Sequence, residues 1–187
     1  FTKGDTLQIV SQHKNISNNR LMETIYFQGT PCHTYGNIPA VGSEAPGFQL
    51  VDKDLKDLRS TDYKGKRIVL NIFPSLDTPV CAMSVRRFNK EASALDNVAV
   101  VCVSMDLPFA QARFCAANNI ENVSVASAFR APKFTEDFGL QMIDGPLAGL
   151  LARAVIVIDE NGKVVFSDLV NEITHEPDYE GAISVLR

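Results

Sequence analysis

The stretch NIFPSLDTPVCAMSVRRFN, residues 71–89, ends an apolar run at Pro74 and then sets a thiol, Cys81, just beyond Thr78 and Pro79. Thr78 is a good helix N-cap and Pro79 suits the first helical position. On that register Cys81 is the third helical residue. Its sulfur then lies among backbone N–H groups that have no intrahelical partner, at the positive end of the helix dipole. Both effects favour thiolate over thiol, and the thiolate is the nucleophile. Position alone leaves a second reading open, since a cysteine is commonly a small apolar residue packed in a core.

The other candidates for chemistry are fewer than the composition suggests. The remaining cysteines are Cys32, Cys102 and Cys115, and no CxxC pair occurs. Four spread thiols in a chain this long do not resemble a disulfide-stapled mini-domain, a zinc knuckle or a thioredoxin-type dithiol. Of the histidines His13, His33 and His175, only His33 sits beside a cysteine, Cys32. No metal and no cofactor is expected. Cys102, inside VAVVCVSM, reads as a buried strand residue, Cys32 as structural or idle, and Asp77 as scaffold rather than chemistry.

The elements that must position Cys81 follow from hydrophobic periodicity. Arg67 to Phe73 is nearly continuous in apolar residues, as a strand covered on both faces should be. Pro79 to Leu95 carries Val80, Met83, Val85, Phe88, Ala92 and Leu95 at helical spacing. Val98 to Met105 is the next buried strand, Pro108 to Asn118 a second helix carrying Cys115, Val123 to Ser127 a short strand, and Ala131 to Phe138 a short helix. Arg153 to Ile158 and Val164 to Leu169 form a hairpin with Asn161-Gly162 at its turn, and Tyr179 to Leu186 is a final helix. Upstream, Thr24 to Phe27 and Pro31 to Tyr35 form a hairpin turned at Gly29, Phe48 to Val51 a short strand, and residues 52–66 a charged turn region. This order is α/β with a mixed sheet.

The bulk numbers agree with one domain. A length of 187 residues supports one substantial core, and 45% hydrophobic with 21% charged residues is ordinary for a globule. A net charge of −4 with no basic run argues against nucleic acid or an anionic membrane as partner. No apolar stretch reaches the roughly 18 residues of a membrane span. Residues 1–21 are polar, without the apolar core or cleavage site of a signal peptide. They are expected to be a leader or appended extension outside the fold, with a single domain over residues 22–187.

The residues around Cys81 decide between its two readings. Pro74-x-x-x-Thr78-x-x-Cys81 resembles the active-site signature of the peroxiredoxins, and FPSLDTPVC resembles that of the atypical two-cysteine class. YFQGTP, MDLPFAQARFC, FRAPKFTEDFG and DGPLAGLLARAVIVIDENGKVVFSDLVNEITHEPDYE are similar to further segments of that family, so the resemblance spans Met22 to Arg187. It implies a thioredoxin-like core with an N-terminal β-hairpin and a thiol-dependent peroxidase. Cys81 takes the peroxidatic position, becoming a sulfenic acid as it reduces a hydroperoxide. Thr78 would hydrogen-bond the peroxide and thiolate, Pro74 would shield the pocket, and Arg153 would hold both through its fixed charge. Cys115 takes the resolving position. The resemblance implies an intrachain disulfide, a helix that partly unwinds to let the sulfurs meet, and reduction by thioredoxin or a similar dithiol.

Two alternatives stand beside this: a different peroxiredoxin class in which Cys115 is incidental, and a redox sensor passing oxidation to a partner. A homodimer with the active-site loops at the contact is the expectation from the family. Phe73, Leu147 and Leu150 are bulky apolar residues suited to alkyl or lipid hydroperoxides. The cytoplasm is the expected compartment, with the periplasm open if a signal was removed.

Overall fold

The structure, a computed structural model, describes residues 22–187, so the expectation for residues 1–21 lies outside the described residues. Two apolar runs build its centre. β5 (Arg67–Ile72) and β6 (Val98–Ser104) lie parallel, Arg67 opposite Val98 and Ile72 opposite Val103. β7 (Ser124–Ser127) continues the parallel set beyond β6. On the other side β8 (Ala154–Ile158) runs antiparallel to β5 and carries β9 (Val164–Leu169) at the edge. β3 (Gln49–Asp52) and β4 (Asp57–Arg59) pair antiparallel next to β7, completing the order β4-β3-β7-β6-β5-β8-β9.

Side-chain alternation along these strands divides the core into two layers. Val69, Val100, Cys102, Val125, Val155 and Val157 face α1 (Pro79–Ala92), α2 (Pro108–Asn118) and α4 (Tyr179–Ser184). Leu70, Ile72, Val101, Val103 and Ile156 face α3 (Pro132–Phe138), whose Phe134 and Phe138 stack at 4.5 Å. α1 buries Cys81, Ser84, Val85 and Phe88, the i, i+3, i+4, i+7 stripe of a helix lying on a sheet. Phe88 meets Tyr179 of α4 edge-on at 5.4 Å, and burying such a ring contributes roughly 1.5–3 kcal/mol. The thiol at position 81 therefore points inward because the helix's apolar stripe begins with it.

β1 (Thr24–Phe27) and β2 (Thr30–His33) form a separate two-stranded hairpin. Gln28 and Gly29 both have positive φ, as a two-residue type I′ turn requires. Ile25 and Cys32 pack with Met142, Ala152 and Ile173, and Tyr26 exchanges backbone hydrogen bonds with Asn171 and Ile173 at 2.7 and 2.9 Å. After α3, Gly139 (φ +69°) lets the chain pass so close to Asn37 that a Cβ would lie 2.5 Å from its carbonyl oxygen. Only glycine fits there.

Two sequence expectations are corrected in detail. The charged segment after β3 is no plain turn: it holds β4, with Leu58 buried, and one 3-10 turn at Ser60–Tyr63. α1 stops at Ala92 rather than Leu95, because Ala94 and Leu95 donate in i→i−3 fashion and Asn97 turns left-handed. The β8–β9 hairpin turns at Asn161-Gly162 as read, with Gly162 in positive φ and a register shift at Val157/Ile158 in the strand before it. The thioredoxin-like mixed sheet flanked by helices, with an N-terminal hairpin, is otherwise as the resemblance implied.

Candidate active site

α1 begins at Pro79 with Thr78 extended before it, and Ala82 N–H donates the first helical bond to Thr78 O at 3.0 Å. The amides of Val80 and Cys81 thus lie ahead of the helical ladder, and Cys81 is wholly buried. The N-cap position is as read from the sequence, but the Thr78 hydroxyl does not cap. It donates to the Ser75 carbonyl at 3.1 Å, tightening the loop instead. Pro74 is buried at the start of that loop.

Arg153 immediately precedes β8. Because Ala154 pairs with Ile72, the register sets residue 153 beside the end of β5, where the chain turns toward α1. Its Nη2 lies 3.4 Å from Cys81 Sγ, and its Nε donates to Ile173 O at 2.9 Å. The side chain is 2% exposed, and Nη1 is buried with no partner. A guanidinium so deeply placed calls for an anion. Its hydrogen-bond partners are a neutral carbonyl and the Cys81 sulfur. Cys81 and Arg153 are therefore brought together, with an unused donor beside them for a third polar group.

Three polar residues that sequence reasoning passed over frame this pair. Asn71, near the C-terminal end of β5, donates to Ser84 Oγ at 3.2 Å, and Ser84 donates to Cys81 O at 2.8 Å. This ties the first turn of α1 to the central strand. Asp106 accepts from Ser75 Oγ and from Leu76 N–H at 2.7 and 2.8 Å, holding the loop between Pro74 and Thr78. The only signal for Asn71 and Ser84 was a polar residue at a core position in an apolar pattern. Asp106 gave none beyond its place before a helix.

The other thiols are all free. Cys115 is buried on α2 in the same layer as Cys81, and burial pushes its thiol up, with Lys53 opposing. Cys102 is fully buried on β6 and pushed up to about 12 by desolvation, although Asn71 donates to its sulfur. Cys32 belongs to the hairpin cluster, apart from the rest. Phe73 lies wholly inside the helix-side core, and Leu147 and Leu150 pack against the hairpin cluster. The large apolar side chains that do reach the surface include Met83, Leu107, Phe109 and Phe129. Among the described residues, no helix is long and apolar enough to cross a membrane.

The sequence profile of the redoxins matches residues 40–183 of this chain. A thiol peroxidase of Corynebacterium glutamicum is 52% identical over 165 residues, spanning 88% of this chain and 99% of that protein. A thiol peroxidase of Mycobacterium bovis is 53% identical with the same two spans. A peroxiredoxin-like protein from Aquifex aeolicus has a crystal structure of TM-score 0.83 at 43% identity, covering 88% of this chain and 96% of that one. A thiol peroxidase from Chromobacterium violaceum shares the fold at TM-score 0.79 and 19% identity, over 87% of this chain and 94% of that one.

Proposed function

We propose a three-step cycle for this chain, which belongs to the redoxin family and is a thiol-dependent peroxidase of the peroxiredoxin type. The observation that carries the cycle is the contact of Arg153 Nη2 with Cys81 Sγ at 3.4 Å, fully buried at the start of α1.

In the first step the Cys81 thiolate attacks the terminal oxygen of a hydroperoxide. The O–O bond breaks, the alkoxide or hydroxide leaves and takes up a proton, and Cys81 becomes a sulfenic acid. The free Nη1 of Arg153 is suited to hold the peroxide in line. The Thr78 hydroxyl serves the peroxide by exchanging its present bond to Ser75. Pro74, buried at the loop's start, keeps water from the sulfur.

In the second step the Cys115 sulfur attacks the Cys81 sulfenic sulfur, a disulfide forms and water leaves. Cys81 and Cys115 are buried, free thiols on two separate helices, so this step has the start of α1 or α2 open. In the third step a thioredoxin-type dithiol reduces the disulfide and is itself oxidised. Such a reductant fits a reducing compartment, and we read the setting as cytoplasmic. The exposed Leu107, Phe109 and Phe129, near the active-site loop, suit a homodimer contact, for which sedimentation of Phe109→Asp against the parent protein is the test.

The cycle is tested by following NADPH consumption with thioredoxin, thioredoxin reductase and peroxide. The parent protein should turn over continuously and Cys81→Ser should not. Sustained turnover by Cys81→Ser would remove the proposed nucleophile.

A further inference from the structure

Asp106 joins the two segments that carry the paired thiols. It stands between β6 and α2, where a carboxylate would ordinarily cap the helix, yet the cap position falls to Leu107 and no side chain caps there. The carboxylate instead reaches across to the loop before α1. Oδ1 accepts from Ser75 Oγ at 2.7 Å, and Oδ2 accepts from Leu76 N–H at 2.8 Å and from Ser104 Oγ at 2.6 Å. Its backbone is held in turn, since Ser127 Oγ donates to Asp106 O.

The same network continues into α2. Ser104 Oγ also accepts from Gln111 Nε2 at 3.3 Å, while that amide nitrogen donates to Ala126 O at 2.9 Å. Gln111 is wholly buried and lies one helical turn before Cys115, on the same face. One partly buried carboxylate therefore spans from the loop that leads to Cys81 to the face of the helix that bears Cys115. At their far ends the helices are pinned by other contacts, Asn89 to residues 121 and 122 and Arg86 to Asn118. Freeing the Cys81 loop from the start of α2 thus means breaking the Asp106 bonds.

We propose that Asp106 is a positioning residue that clasps the Cys81 loop to the start of α2, favouring peroxide attack and restraining the opening that disulfide formation needs. This rests on Cys81 and Cys115 as the reacting pair. Two rates should then move in opposite directions when the clasp is weakened. Attack slows because the loop no longer holds Cys81 against Arg153. Attack of Cys115 on the sulfenic sulfur, with loss of water, speeds up because the loop opens more readily. The sulfenic acid then persists for less time, and less of it is carried on to sulfinic acid by excess peroxide.

The test is rapid-quench kinetics on the reduced full chain with hydrogen peroxide, resolving sulfenic acid, disulfide and sulfinic acid by mass. Asp106→Ala should lower the attack rate by roughly tenfold or more, the scale of losing a hydrogen bond to a charged group. It should raise the rate of disulfide formation severalfold and lower the sulfinic yield. Asp106→Asn, whose amide can still meet Ser75 and Leu76, should fall between. If Asp106→Ala does not fold, Ser75→Ala removes one strand of the clasp and should shift both rates the same way by less. Both rates falling together, or neither moving, would overturn the clasp. A parent protein that forms no Cys81 sulfenic acid would instead overturn the cycle on which the clasp rests.

Discussion

Arg153 is a fixed cation with two of its nitrogens engaged, one on the Ile173 carbonyl and one on the Cys81 sulfur. Replacing it with methionine keeps apolar bulk but removes the charged donor. A hydrogen bond to a charged group is worth about 1.5–3 kcal/mol, and each 1.4 kcal/mol is about tenfold in rate. Arg153→Met should therefore slow peroxide attack by roughly 10- to 100-fold, read as the second-order rate of sulfenic acid formation in a Cys115→Ser background. An unchanged rate would show that the guanidinium does not act on the sulfur. At this scale the sequence was only partly legible. Pro74, Thr78, Cys81 and Arg153 stood out because the spacing of the first three and the DGPLAGLLARAVIVID segment resemble a family pattern. Asn71, Ser84 and Asp106 did not, because the bonds that matter, Asn71 to Ser84 and Asp106 to Ser75 and Leu76, join separate elements. The Thr78 hydroxyl donates to the Ser75 carbonyl instead of accepting from an amide of the first helical turn, and sequence does not rank these two local partners.

Elements hold these residues in turn, and the N-terminal hairpin does so through Glu172. Its carboxylate accepts from the amides of Gln28 and Gly29 at 3.0 Å and from Thr174, and the Gly29 bond above all lowers its pKa from 4.5 to about 2. A group whose pKa is lower folded than unfolded stabilises the protein above the unfolded value and loses that stabilisation as pH falls toward the folded one. The hairpin turn should therefore loosen between about pH 4.5 and 2, seen as faster amide exchange over residues 25–32. Glu172→Gln should remove that pH step. A step that persists in Glu172→Gln would assign it to another group. The next residue, Ile173, carries the carbonyl that receives Arg153 Nε, so hairpin and active site share one segment. Among the elements, α2 runs over Pro108–Asn118 as read, and the apolar stripe of α1 was legible although its last turn was not. β4 was not, since three residues with Leu58 alone buried carry too short a pattern to separate from a charged turn.

Across the whole molecule, the sheet sorts the thiols. Cys81, Cys102 and Cys115 lie in the layer under α1, α2 and α4, while Cys32 sits in the hairpin cluster on its own. Cys102 is fixed in the middle of a central strand, and burial that pushes its thiol up to about 12 keeps it from acting as a nucleophile at neutral pH. Cys115 rides on α2, which lies on the sheet and contributes no strand to the β5–β6–β7 ladder. The measurement that bears most directly on the cycle is therefore a disulfide map. Fully reduced protein is given one equivalent of hydrogen peroxide, quenched with an alkylating agent in denaturant, digested and read by mass. We expect one Cys81–Cys115 disulfide within a single chain, with Cys32 and Cys102 recovered as alkylated thiols. Cys81 joined to Cys32, to Cys102 or to a second chain would contradict the account.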